Sequence, residues 1–101
     1  MSNTITKLVG IIKSRKGTDI KSSYTSFLLS KGVDRCLNKL KEEIDELEDA
    51  IKNKKNIIHE TADVIYHLLV TLESAGISFD DILAELKKRE GISGIEEKKN
   101  R

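Results

Sequence analysis

Two pairs of carboxylates, each at a helical spacing of three, are the residues of this chain whose types and positions can do chemistry. Glu43 and Glu46 stand in the run Lys39-Leu-Lys-Glu-Glu-Ile-Asp-Glu-Leu, and Glu60 and Asp63 in His59-Glu-Thr-Ala-Asp63. Residues three apart on an α-helix share a face, with Cβ atoms roughly 5–6 Å apart. If the two segments face each other, the pairs make a four-carboxylate cage. Like charges repel, so such a cage is poor structural glue, whereas a hard divalent cation such as Mg²⁺ prefers oxygen ligands. Two other readings compete with it: a solvated acidic face, common in a chain rich in Glu and Lys, and a salt-bridge network in which Lys39 or Lys52 neutralises the carboxylates. The residues alone leave cation and salt bridge both open.

The cation reading carries a chemical consequence. Mg²⁺ keeps several waters and usually shares its shell with phosphate, so a carboxylate cage of this kind implies a phosphorylated substrate and a water made acidic enough to attack phosphorus. Arg15, Lys16, Lys39, Lys52 and Arg89 are then candidates for phosphate contacts, although most lysines in so charged a chain are simply solvated. His67 lies one turn beyond Asp63 and reads either as part of the site or as a satisfied, partly buried histidine. Tyr24, between Ser23 and Thr25, is a loop anchor or one of three hydroxyls poised over a ligand. Cys36 reads as helix filler, since no Cys-His pattern surrounds it. The segment from Gly91 to Gly94 does not form a Walker-type phosphate loop.

The elements that must position these groups are helices. Ile5, Leu8, Val9 and Ile12 recur at i, i+3, i+4 and i+7, with Asn3 or Thr4 as N-cap and Gly17 as the closing residue. A hydroxyl-rich loop, Ser22 to Ser26, leads to one or two helical turns at Phe27-Leu-Leu, stopped at Gly32. From Val33 the apolar residues Val33, Leu37, Leu40, Ile44, Leu47 and Ile51 form a narrow seam. Glu43 and Glu46 lie on one flank of that seam, in line with Lys39 and Ala50. Lys52 to Asn56 reads as the turn of an αα-hairpin. The helix that follows, about 57–75, is apolar over more than half its circumference, which predicts a central helix whose polar face is a narrow stripe of Glu60, Asp63, His67 and Thr71. Ser78-Phe-Asp-Asp81 resembles a capping box for a last helix with Phe79, Ile82, Leu83 and Leu86 on its apolar face. Residues 90–101 read as loop or mobile tail.

These segments make one all-α domain over residues 1–101, an antiparallel up-and-down helical bundle expected to be completed by a second copy, because a chain this short buries a modest core. The formal net charge is +1 with 35% charged residues, so both signs are balanced and no footprint for nucleic acid exists. A single cysteine excludes an intrachain disulfide, and neither a signal-peptide pattern nor a membrane-spanning apolar run is expected, which makes a cytoplasmic location the default.

The motif Glu42-Glu43-x-x-Glu46, thirteen residues, then Glu60-x-x-Asp63 resembles the EExxE…ExxD signature of the all-α, MazG-like nucleoside triphosphate pyrophosphohydrolases. More narrowly, Ser23-Tyr24-Thr25, Leu28-Leu29, Lys31-Gly32, Lys39, Lys52-Asn53, Ala62-Asp63-x-x-Tyr66-His67-Leu68-Leu69-Val70 and Leu83-x-x-Leu86-x-x-Arg89 resemble the phosphoribosyl-ATP pyrophosphohydrolase family. The resemblance implies Mg²⁺-dependent hydrolysis of 1-(5-phosphoribosyl)-ATP to 1-(5-phosphoribosyl)-AMP and pyrophosphate, the second step of histidine biosynthesis. It implies Glu43, Glu46, Glu60 and Asp63 as metal ligands, with Glu42 in the outer shell or orienting the water. It also implies Ser23, Tyr24, Thr25, Lys39, Lys52, Asn53 and Arg89 as substrate contacts, to which Arg15, Lys16 and His67 are added as candidates. The chain departs from the pattern at Lys41, where glycine is common, and at Asp45, Glu48 and Asp49, which replace small or aliphatic residues. Beside this reading stand the same chemistry on another nucleoside triphosphate, and a non-enzymatic helical interaction module whose acidic stripe pairs with lysines.

Overall fold

The computed structural model describes residues 2–91 and 94–99. Six helices follow one another: α1 (Ser2–Arg15), α2 (Tyr24–Ser30), α3 (Val33–Asn53), α4 (Ile57–Ser74), α5 (Phe79–Lys88) and α6 (Gly94–Lys99), and there is no strand among the described residues. The all-α bundle expected from the sequence is therefore the fold. α3 and α4 pack along one another as an antiparallel hairpin, and α4 also touches α1 and α2, so it is the central helix.

The core lies where α1, α2 and α4 meet. Ile12, Leu28, Leu69 and Val70 are buried there, Cys36 joins them from α3, and Ile5, Leu8, Val9, Phe27, Leu29, Tyr66 and Phe79 pack around them. Three of the polar groups inside it bond to backbone. Ser26 Oγ donates to the Thr18 carbonyl at 2.6 Å, Thr71 Oγ1 to the His67 carbonyl at 2.7 Å, and Cys36 Sγ to the Leu28 carbonyl at 3.4 Å. Cys36 is thus a small core residue with a weak donor, as its sequence context suggested.

Several local expectations change. The hydroxyl-rich segment is not loop throughout: Ser23 is the N-cap of α2, its side chain accepting the Ser26 N–H at 3.1 Å, and Tyr24 and Thr25 stand in the first turn. α1 begins at Ser2, ahead of the caps expected at Asn3 or Thr4. Ser78 precedes α5 without a side-chain capping bond. Residues 94–99 form a short helix where loop or mobile tail was expected, and residues 92, 93, 100 and 101 lie outside the described set. α4 closes at Gly76, which takes φ 74° while the Ile77 N–H reaches back to the Leu72 carbonyl at 3.0 Å; a left-handed residue there is what lets the chain turn away and satisfy that carbonyl.

The apolar seam of α3 does not face this core. Its inner stripe is Cys36, Glu43 and Ala50, one residue every two turns, while Val33, Leu37, Ile44 and Ile51 remain exposed. On α4, Ile58 is 88% exposed, and Ile65 and Leu68 also reach solvent. The central helix is buried on the faces toward α1, α2 and α3 and open on another. The radius of gyration, 15.6 Å, exceeds the roughly 13 Å of a compact chain of this length.

Ile12 is 1% exposed and sits at the centre of the core. Ile12→Ala is expected to lower unfolding free energy by about 2–5 kcal/mol, read from the urea midpoint, whereas Leu86→Ala, on the exposed face of α5, is expected to change it by under about 0.5 kcal/mol.

Candidate functional site

The carboxylates converge because of how the α3–α4 connection is made. Lys54 and Asn56 both take left-handed backbone conformations, at φ 55° and 58°, and the Lys55 N–H bonds to the Ala50 carbonyl at 3.0 Å. That tight turn folds α4 back on α3 so that the second carboxylate pair meets the first. One carboxylate oxygen from each of Glu43, Glu46 and Glu60 lies within 4.8 Å of the others. His59, Glu60 and Asp63 meet the same condition, and Glu60 belongs to both groups. Three of the four carboxylates expected to form a cage, Glu43, Glu46 and Glu60, are brought together in one group, and Asp63 stands in the second with Glu60 and His59.

Glu43 is the buried member, at 6% exposure. Lys39, one turn earlier and half-buried, brings its Nζ to 3.7 Å from Glu43 Oε1, but Glu43 Oε2 is buried with no hydrogen-bond partner. Burial, then the neighbouring Glu46 carboxylate, with a smaller push from Asp63, raise the Glu43 pKa from 4.5 to about 7; Lys39 acts in the opposite direction. Of the two protein cations weighed for the cage, Lys39 contributes in part. Lys52 does not: its Nζ lies 3.1 Å from Glu48 Oε2, and it borders a shallow apolar hollow with Ile44, Leu47 and Ile51. A divalent cation bound here would supply the missing charge, and the orphaned Glu43 oxygen among hard oxygen donors fits one.

Next to the cage is an open depression of about 270 Å³ lined by Glu46, Asp49, Ala50, Asn53, Lys55, Asn56 and Glu60. Asn53 is thus at the site, and Lys55, not Lys52, is the basic residue of the turn that reaches it. On the other side, the Ser23–Thr25 turn is tied to α4. Thr25 and Tyr66 hydroxyls hydrogen-bond, and the half-exposed Tyr24 ring stacks on Phe27 and Tyr66 and meets the His67 ring edge-on at 6.1 Å. His67 is 5% exposed, and its Nδ1 lies 2.9 Å from the Asp63 carbonyl. A carbonyl only accepts, so Nδ1 carries the proton; Nε2 is buried without a partner. His67 is then neither a satisfied core histidine nor in the cage, but the link between the Tyr24 cluster and the Asp63 turn.

The remaining candidates lie apart from these contacts. Glu42 is exposed and one turn before Glu46. Arg15 ends α1, and Lys16 lines a hollow with Thr18, Ile20, Ser26 and Leu29. Arg89 Nε donates to Glu85 Oε2 at 2.9 Å on α5. Two residues at the site were missed by the sequence reading. His59 carried a signal, its i, i+4 spacing to Asp63; Lys55 carried none, because its direction depends on the two left-handed residues around it.

Fold and site together define a class: an all-α protein with a cation-competent carboxylate centre between two antiparallel helices. A family model described as phosphoribosyl-ATP pyrophosphohydrolase matches residues 5–90. The chain is 43% identical over 96 residues to a phosphoribosyl-ATP pyrophosphatase of Rhodobacter capsulatus, covering 93% of each. It is 48% identical over 93 residues to one of Geobacter metallireducens, covering 90% of this chain and 85% of the relative. One of Lactiplantibacillus plantarum is 48% identical over 87 residues, 84% of this chain and 82% of the relative. The chain belongs to the phosphoribosyl-ATP pyrophosphohydrolase family.

The raised pKa of Glu43 has a measurable sign. Between pH 4.5 and about 7 the folded, metal-free chain holds a proton on Glu43 that the unfolded chain has released. Stability of the metal-free protein therefore falls as pH rises through that window, by roughly 1–3 kcal/mol. Glu43→Gln is expected to flatten this part of the curve, measured by urea unfolding in chelator at pH 5 and pH 7.5.

Proposed function

We propose that this chain hydrolyses 1-(5-phosphoribosyl)-ATP to 1-(5-phosphoribosyl)-AMP and pyrophosphate, the second step of histidine biosynthesis, in the cytoplasm. The observation that carries the reading is the buried, half-unpaired Glu43 carboxylate, beside Glu46 on α3 and facing Glu60 across the α3–α4 hairpin. Membership of the family supplies the substrate.

Glu43, Glu46, Glu60 and Asp63 would hold Mg²⁺, whose donor preference their hard oxygens match. When bound, the cation polarises phosphoryl oxygens and increases the acidity of water. The chain's own residues do the rest. Glu46, the exposed member of the Glu43–Glu46 pair, would take up the proton leaving the attacking water, with Glu42 one turn away in an outer position. Asn53 and Lys55 border the depression next to the cage and are placed to bind the departing pyrophosphate. Tyr24 offers an exposed aromatic face on the opposite side of the Asp63 turn, suited to the purine of the substrate, with Ser23 and Thr25 fixing the turn that carries it. Lys39 offsets part of the negative charge of the cage. Among the described residues Arg15, Lys16, Lys52 and Arg89 do not line the depression next to the cage, and a contribution across a subunit interface would give them a role in substrate binding.

The exposed seam of α3 and the open face of α4 support such an interface. Val33, Leu37, Ile44 and Ile51, with Ile58 and Ile65, present large aliphatic side chains to water, and a second copy of the chain is the proposed occupant. No helix among the described residues is long and apolar enough to cross a membrane.

With Mg²⁺ present, Glu46→Gln and Asp63→Asn are each expected to lower kcat/KM for phosphoribosyl-ATP by about a hundredfold or more, on the order of 3 kcal/mol of transition-state stabilisation, with helix content unchanged. Equal or faster turnover of ATP or another common triphosphate in the same assay would overturn the substrate assignment. Ile44→Glu is expected to shift the protein to monomer in sedimentation velocity; an unaltered oligomer would place the interface elsewhere.

A further inference from the structure

His59 is absent from the carboxylate signature, yet it stands on α4 one residue before Glu60 and one turn before Asp63. Its Nε2 lies 3.3 Å from Asp63 Oδ2 and 3.8 Å from Glu60 Oε1. For ligands about 2.1 Å from a common cation, neighbouring donor atoms lie roughly 3.0 Å apart in an octahedron and roughly 3.4 Å in a tetrahedron. The His59–Asp63 separation thus matches an edge of a coordination polyhedron, and Glu60 lies somewhat farther out, with all three donor atoms within 4.8 Å of one another. An exposed His–Asp pair on a helix also occurs as a surface ion pair, worth little. Here, however, Glu60 is shared with the group that contains the buried, unpartnered oxygen of Glu43, so the imidazole borders a centre already short of positive charge.

We propose that His59 is a nitrogen ligand of this centre, so that the chain accepts a first-row transition cation through one imidazole in addition to its carboxylates. The inference rests on the cation reading of the cage given above. Neutral imidazole adds affinity for transition metals, following ligand softness, and adds little for Mg²⁺, which favours oxygen. His59 is largely exposed, so its imidazole would be accessible to a transition cation and would leave the Mg²⁺ form essentially as the carboxylates make it.

Mn²⁺ is the probe, because it accepts both oxygen and nitrogen ligands and is paramagnetic. Calorimetric titration of the purified protein with Mn²⁺ and with Mg²⁺, and pulsed electron paramagnetic resonance of the Mn²⁺ form, are carried out on the wild type and on His59→Gln. Expected are an imidazole nitrogen coupling in the wild type that is lost in His59→Gln, an Mn²⁺ affinity about tenfold weaker in the variant, and an Mg²⁺ affinity changed by less than about twofold. Mn²⁺ bound without nitrogen coupling overturns the role of His59 and leaves the carboxylate centre standing. A coupling that persists in His59→Gln overturns it too and assigns the nitrogen to His67, the other histidine of the chain. Failure of both cations to bind overturns the cation centre and His59 with it.

Discussion

The structure turns on a carboxylate placed where a helix pair ordinarily puts an apolar residue. The stripe of α3 that meets α4 is Cys36, Glu43 and Ala50, with two small residues flanking an acid. The small side chains let the helices approach, and the acid between them is closed off from water, with Lys39 the cation that reaches one of its oxygens among the described residues. An unpaired buried charge costs several kcal/mol in a domain whose whole stability is of that order. The core of α1, α2 and α4 must therefore hold the hairpin closed while the site itself pulls in the opposite direction. Such local conflict between stability and chemistry is expected at a site built to receive a counter-charge from outside the chain.

Giving the inner stripe to chemistry has a second effect. The aliphatic residues of α3 have to go elsewhere on the helix, and they lie on its outer side as the seam of Val33, Leu37, Ile44 and Ile51. One helix thus carries its polar site inward and its apolar seam outward, the reverse of the usual arrangement for a small domain. The unusually acidic back of α3 fits around this seam: Glu48 pairs with Lys52 at the margin of the Ile44–Leu47–Ile51 hollow, which places charge at the rim of the seam and leaves its middle apolar.

What could be read in the sequence follows from which forces act locally. Helix spacing alone placed Glu43 with Glu46 and Glu60 with Asp63, and the short basic connection placed the pairs opposite each other, because periodicity and chain reach suffice for both. The same periodicity found the α3 seam but assigned it no direction: a hydrophobic stripe states that something must cover it, not whether that is the same chain. Lys52 was read at the site and Lys55 was not, since the side on which each falls is decided by the left-handed turn at Lys54 and Asn56, and only Asn56 is of a type that favours that conformation. Tyr24 and Thr25 were read as loop because their helix is a single short element held by tertiary contacts, the Thr25–Tyr66 bond and the aromatic stack, which no local pattern announces.

The contacts around His67 join the two ends of the site. The Ser23 cap fixes the first turn of α2, Thr25 fixes that turn to Tyr66, and Tyr66 and His67 meet edge to face at 4.9 Å. His67 in turn holds the Asp63 carbonyl through Nδ1, one helical turn from the cage. Each link is short and buried or half-buried, so a displacement of the Tyr24 ring moves through packed groups with little free volume to absorb it. A ligand resting on Tyr24 would therefore bear on the orientation of Asp63, which gives the fold a physical route from recognition of a base to alignment of a carboxylate. Apart from Asp63 at its end, that route uses no residue of the carboxylate signature, and it accounts for the nearness of the two sequence motifs, one in α2 and one in α4, that are otherwise far apart in the chain.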